Sequence, residues 1–421
     1  MQTNGSKLLK EEDRLCEYRY QITEFYVLIN GEKNELPVER ISSFKIEHYF
    51  EEALFPIFKI SLVMEQSRYY KMMQNKKDVK FKVRIQDFYT INDTEESSML
   101  RDVINDTFVF FPDDDDSNYD IDVKKDDESQ QPDDTNKLEA LENEVDLFLF
   151  KEMVTSLRGK CNYILQNVNL STAVTYMLYK GGAKNVLMSP FENNDIYSEL
   201  VLPPQSYDKQ LMYLNNNFGF HKEGSIVYFG LYHSYILNCK AGCTAYAKKE
   251  WQDTVIYVLE RTNSSSQLEG AIIRKDEEKF YFLSNSDTIS IENTLVTQNV
   301  TGGVNPKIID VHDNVVNTND SGAKDVNSGN DAIVFNTTSN KFMPTATTAQ
   351  MKANGLVISM KIDNVNMDAF NPNKRFSIIF ENQAHNDKYK GIYRISTALY
   401  TFNHSGADFS LTAILTFKKV G

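Results

Sequence analysis

The chain has 421 residues, 41% of them hydrophobic, with 26 Phe, 23 Tyr and a formal charge of −14. That length exceeds one ordinary core, so two or three domains are expected, with enough apolar mass to fill them. Eleven Asp/Glu against three Lys fall between Pro112 and Lys137, leaving only −6 for the other 395 residues. The remainder shows no basic stripe, which excludes a protein that reads nucleic-acid sequence, since phosphates must be neutralised by clustered Lys and Arg.

The start, MQTNGSKLLKEEDRLCEY, lacks an apolar core of the kind a secretory leader carries. No stretch reaches the roughly 18 apolar residues of a membrane helix. Four cysteines (Cys16, Cys161, Cys239 and Cys243) fit a reducing compartment without a disulfide framework. The expectation is a protein with no membrane anchor that stays where it is made.

After an N-terminal arm over residues 1–17, residues 18–111 read as strands. YRYQITEFYVLI runs into Asn30-Gly31, a hairpin signal, and ISSFKIEHYF and FPIFKISLVM follow. In DVKFKVRIQDF, Val79, Phe81, Val83 and Ile85 alternate with Lys80, Lys82, Arg84 and Gln86, the period of a half-buried strand. SRYYKMMQN between them predicts a short helix or turn. Several alternating strands with short connections describe a sandwich or barrel. Residues 112–144 form an acidic insertion too poor in apolar side chains to order itself, and 145–155 reads as a strand returning to the first barrel.

Residues 156–262 change to an α+β pattern. Ser171 is the expected N-cap of a helix over TAVTYMLYK, stopped by Gly181-Gly182, and Ser206 precedes YDKQLMYLNNN. Short apolar strands surround both. From 263 to 421 the chain is again β-rich, interrupted over 301–345 by Asn, Asp, Thr, Ser and Gly that read as a long flexible loop. The end is a hairpin. Phe409, Leu411, Ala413, Leu415 and Phe417 share one face, and Thr412 lies on the other among Asp408, Ser410, Thr416 and Lys418, with Ile414 the one apolar exception. Phe409, Leu411, Leu415 and Phe417 are therefore the candidate barrel core.

Motifs for chemistry are thin. The six histidines show no metal-pair spacing and no neighbouring nucleophile. Cys239 and Cys243 in CKAGC are one residue too far apart for a redox pair. The stretch Asn317–Ser328 has neutral ends where a calcium loop needs carboxylates. The Gly159-Lys160 pair lacks the upstream glycine of a phosphate loop. No pair of acids is singled out for hydrolysis. No catalytic residue, metal or cofactor is assigned.

Three blocks occur in one order: EEALFPIFKI; TAVTYMLYKGGAKNVLMSPFENN with LVLPPQSYDKQLMYLNNNFGFHKEGSIVYF; and FNPNKRFSIIFEN with KGIYRISTALYTFNHSGADFSLTAILTF. In that order they resemble the baseplate hub proteins of phage tails, which are related to late-control tail proteins and to the base of type VI secretion spikes. The resemblance covers residues 18–110 and 145–300 and is densest over 355–421. The acidic run and residues 301–345 have no counterpart in it.

The resemblance implies a mainly β fold: two tail-tube-like β-barrel domains, 18–111 and 263–421, with a small helical/strand insertion domain. It implies a homotrimer whose six barrel modules join a hexameric tail tube protein to a trimeric central spike protein. The tape measure and baseplate wedge proteins are further candidate partners. The place is the virion tail baseplate, assembled in the host cytoplasm, with DNA passing through the lumen. Tyr49, Phe50, Leu54, Phe55 and Thr412 are then candidates for interface or lumen positions. The alternatives are a distal tail or receptor-binding adaptor, with one module in six copies, and a tail-associated cell-wall hydrolase.

Overall fold

The computed structural model describes residues 14–91, 101–111, 142–241, 254–260, 270–273, 280–285, 288–293, 304–312, 315–320, 330–336, 340–405 and 408–420. The acidic run over 112–137, Cys243 and most of the stretch tested above as a calcium loop lie outside them.

Strand β1 (Arg14–Ile29) turns at Asn30-Gly31 into β2 (Glu32–Glu35), with Ile29 opposite Glu32. Both turn residues are left-handed, φ 53° and 84°, as a two-residue type I′ turn requires. β3 (Ile41–Tyr49) and β4 (Ile57–Glu65) form the next antiparallel pair. The short helix α1 (Gln66–Gln74) buries Tyr69 and Met72. In β5 (Val79–Ile91) the alternating Val79, Phe81, Val83 and Ile85 all turn inward. β6 (Arg101–Phe110) and β7 (Glu142–Lys151) complete this half, and β7 lies between β4 and β6.

The chain then leaves the sheet through α2 (Met153–Leu157) into a unit with its own core. This unit holds β8 (Lys160–Asn169), α3 (Leu170–Lys180), β9 (Val186–Met188), β10 (Ile196–Ser206), α4 (Tyr207–Phe218), β11 (Ser225–Phe229) and β12 (Ser234–Asn238). β8 pairs with β10, while β12 sits between β11 and β9. Leu170, Val174 and Met177 of α3 recur at helical spacing and pack with Leu211 and Leu214 of α4. The N-cap of α3 is Asn169, whose side chain accepts from the Thr172 N–H, and not Ser171, which lies inside the first turn. Ser206 does occupy the N-cap position of α4, but its hydroxyl turns to Asp208 instead of the backbone.

The last third contains β13 (Thr254–Leu259), β14 (Gly270–Ile273), β15 (Phe280–Asn285), β16 (Ile289–Asn293), β17 (Val304–His312), β18 (Val315–Asp320) and β19 (Asn330–Asn336). Then come α5 (Met343–Asn354), β20 (Leu356–Asp363), β21 (Phe376–Phe380), α6 (Gln383–Tyr389), β22 (Gly391–Ser405) and β23 (Asp408–Lys419). Residues 301–345 are thus not one long loop. β17 pairs with β18 and β19 in a small sheet of its own, and α5 begins before the segment ends. The composition was dominated by Asn, Asp and Thr, which hid the β-branched cores of PKIIDVH and AIVF.

One large sheet organises the rest. β1-β5-β6-β7-β4-β3-β22-β23 forms a ring of eight strands that closes where Tyr20 of β1 meets Phe409 of β23. A second circuit of pairings runs β1-β14-β15-β13-β21-β22-β23 and returns to β1 at the same point. β22 serves both: Thr397–Phe402 pairs with β3, and Gly391–Tyr393 pairs with β21. A bulge between Ile395 and Thr397 separates the two stretches and re-aims the strand. The boundary expected at residue 263 is therefore crossed by the closing hairpin, which completes the ring begun at the N-terminus.

Candidate interaction face

The closing hairpin has an inner and an outer side, and register carries the inner one across six strands and the outer one across five. On the inner side a row runs Ile362, Ala413, Tyr400, Ile46, Phe58 and Leu149, every member buried. Phe409 is 2% exposed, and Leu411, Leu415 and Phe417 are fully buried in the same core.

On the outer side one row runs Asp363, Thr412, Thr401, Lys45 and Lys59. The next runs Lys361, Ile414, Leu399 and Glu47. Thr412 is half-buried: its hydroxyl donates to Asp363 Oδ1 at 2.6 Å and accepts from Asn403 Nδ2 at 3.0 Å. Two lysines on this face are paired, Lys59 at 2.7 Å from Glu47 and Lys361 at 3.4 Å from Asp363, while Lys45 is exposed. Ile414 is 48% exposed at its centre. Tyr49 stands at the upper end opposite Thr397 and donates to Glu47 at 3.1 Å.

Phe50, Leu54 and Phe55, expected as interface or lumen candidates, are not on that face: Phe50 and Phe55 are buried and Leu54 half-buried. The chain turns after Tyr49 and carries them into the joint between the ring and the insertion. Phe50 is buried between His48 and Tyr228, and Phe55 stacks on Phe229 at 5.4 Å. The Leu54 carbonyl accepts from the Phe229 N–H at 2.8 Å. Rings of this size are the cheapest groups to desolvate where two cores meet. His48, on the ring side of the joint, has Nδ1 at 2.8 Å from the Tyr228 hydroxyl, and burial pushes its pKa down to about 3.

Sequence reasoning missed the polar lock of this joint. Glu51 Oε1 accepts from Arg394 Nε at 2.7 Å, and Oε2 accepts from Lys418 Nζ at 2.6 Å. Gln350 of α5 bridges Arg394 and Glu51 at 3.2 and 3.4 Å. Burial alone would raise the Glu51 pKa, but Arg394 and Lys418 outweigh it and hold the carboxyl below its usual range. The available signal was Arg394 itself, inside the run Tyr393–Ser396 in which every residue is buried. A charged side chain there demands a partner.

A second charged cluster, half-buried, lies across β5, β6 and the turn before β21. Arg101 Nη2 donates to Asp87 at 2.6 Å and reaches Asp368 at 3.0 Å, beside a cavity of about 390 Å³ walled by Tyr228, Tyr235, Phe370 and Tyr400. Burial raises the Asp368 pKa, opposed by Arg101. Among the described residues no group of three or more His, Cys, Asp or Glu is placed to hold a metal ion. No helix among them is long and apolar enough to cross a membrane.

Solved structures resemble this architecture at low identity. The tail protein from Neisseria meningitidis MC58 matches with a TM-score of 0.52 at 10% identity, covering 96% of this chain and 97% of its own, and so shares the fold. The 43 kDa tail protein of prophage MuSo2 from Shewanella oneidensis gives 0.49 at 8% identity, over 96% of this chain and 97% of its own. A chain of the Francisella PdpA-VgrG complex gives 0.47 at 9%, over 98% of this chain and 59% of its own. No curated protein matches this chain. The family model described as bacteriophage PBS1 gene 109 protein matches residues 11–420, and the chain belongs to that family.

Proposed function

We propose that the chain is a structural part of a phage tail, and within it the hub that joins a hexameric tail tube to a trimeric central spike. The observation that supports this reading is the double use of β22 and β23. One hairpin closes the eight-strand ring and also carries the second circuit, so a single chain offers two adjacent strand systems in fixed relation. Three copies then supply six, which reconciles sixfold and threefold neighbours. Such contacts are heterologous and must close on themselves.

The outer rows of Thr, Lys, Glu and Asp, with Ile414 and Leu399 among them, suit a channel or subunit wall. Two of the three lysines are paired and a single isoleucine is exposed, so DNA in transit meets neither a broad apolar trap nor a strong cationic one. The shared fold of the Neisseria tail protein and membership of a phage family support the tail assignment. The role is non-enzymatic, and the site of action is the virion baseplate. Light scattering on the purified chain at micromolar concentration is expected to give about three times its 48.4 kDa. A stable hexamer, or a monomer that persists when the spike is added, would remove the hub reading in favour of an adaptor present in six copies.

A further inference from the structure

We propose that the free edge of β11 is a docking edge for an extended, basic segment of a partner protein. β11 lies at the end of its small sheet, paired with β12 on one side only. The Cys239 N–H donates to the Gly224 carbonyl and the Gly230 N–H to the His233 carbonyl, which fixes the even-numbered residues as those facing β12. In an antiparallel ladder the alternate residues then direct their N–H and C=O groups the other way. These are Ser225, Val227 and Phe229.

The chain itself uses one of them. The Phe229 N–H donates to the Leu54 carbonyl, so a backbone strand already touches one end of this edge. Beyond it, Ser225 and Val227 line an open cavity of about 740 Å³ between α4 and α5. The edge sequence SIVYF carries no lysine or proline, and with only Ser225 half-buried and the other four residues buried it borders the cavity and not bulk solvent. A strand laid along it at the usual spacing of about 4.8 Å would find backbone partners in register.

The charge of the cavity selects the segment. Glu51 lines it, but with Arg394 and Lys418 both bound to it that buried cluster carries one net positive charge. Glu52 and Glu223 line it too and outnumber that charge: Glu223 accepts from Asn238 Nδ2 at 3.2 Å, among the described residues neither has an ion pair, and no Lys or Arg lines the cavity. The one imidazole there, His221, is buried and held toward its neutral form by that burial. An extended segment with Lys or Arg on one side is therefore attracted, and an acidic one is repelled.

The test uses the full chain and three fluorescent, end-blocked hexapeptides: alternating lysine–valine, alternating glutamate–valine, and lysine–valine methylated on every second backbone nitrogen. The lysine–valine peptide is expected to bind saturably in anisotropy and to slow hydrogen exchange at the Ser225 and Val227 amides. The other two should bind about tenfold more weakly or worse. Glu52→Lys, at an exposed position, should weaken binding about tenfold with no change in melting temperature. Equal binding of acidic and basic peptides, unchanged affinity in Glu52→Lys, or no saturable binding would overturn the proposal. Self-association of the chain that the lysine–valine peptide displaces would assign the edge to a second copy, and would overturn it equally.

Discussion

Glu51 and Arg394 stand 343 positions apart in sequence, yet Glu51 Oε1 accepts from Arg394 Nε at 2.7 Å in a nearly dry joint. Lys418 holds the other oxygen, so one carboxylate ties the turn after β3 to both strands of the closing hairpin. Glu51→Gln is expected to cost about 3–5 kcal/mol in urea unfolding, because two cations are left buried without their anion. A cost below about 1 kcal/mol, the range of exposed pairs, would show the joint to be wet. The pH dependence has a definite sign. The folded-state pKa of Glu51 lies below 4.5, so its stabilisation is present above that pH and is lost as pH falls through the folded value.

His48 gives a separate acid sensitivity at higher pH. Its folded pKa is about 3 against 6.5 for the free side chain, so below pH 6.5 the unfolded chain binds a proton that the folded chain refuses. Stability is full above 6.5 and is expected to fall by roughly 1.4 kcal/mol per pH unit below it. His48→Gln keeps a polar partner for the Tyr228 hydroxyl and removes the titration. Urea unfolding between pH 6.5 and 5 should become less steep with pH in this variant, the remainder including buried His221. An unchanged slope would place the titrating group elsewhere.

Buried Asp87 and half-buried Asp368 share one arginine, an arrangement that superficially invites a hydrolase reading. Arg101 binds Asp87 through two nitrogens and spans the gap between the acids, where a water or sugar oxygen would have to sit. Purified protein is expected to show no turnover of peptidoglycan above blank. A pH-dependent hydrolysis abolished by Asp368→Asn would refute the structural role.

What was legible in the sequence was local. The Asn30-Gly31 turn, the alternation of β5 and the two faces of β23 follow from period and turn chemistry within about a dozen residues. Ring closure at Tyr20 and Phe409 is not local, and neither is the parallel pairing of β13 with β15 and β21. No periodicity encodes which strand becomes a neighbour hundreds of residues away. The resemblance makes Phe50 and Phe55 interface or lumen candidates, but their cover is Tyr228 and Phe229 of this same chain. The small strands over 304–336 failed for another reason: single β-branched clusters were outweighed by the polar residues around them.

The two faces of β23 can be separated by paired substitutions. Leu415 is fully buried between Ala398 and Met360, so Leu415→Ala should cost about 2–5 kcal/mol, the sum of lost transfer energy and the cavity left behind. Thr412→Asp is expected to be milder but not silent. Its hydroxyl now donates to Asp363 Oδ1, and a carboxylate there would face Asp363 directly, with only Lys361 at 3.4 Å to relieve it. Like charges opposed across a ladder cost on the order of 1 kcal/mol, which should shrink in high salt. Thr412→Asn keeps a donor for Asp363 and should restore the loss. If the outer rows face other subunits, Thr412→Asp should also weaken oligomer formation by more than its effect on unfolding. Urea curves and light scattering on the same three proteins measure both effects. A silent Leu415→Ala together with an unfolded Thr412→Asp would mean the hairpin faces are reversed, and the outer face would lose its candidacy.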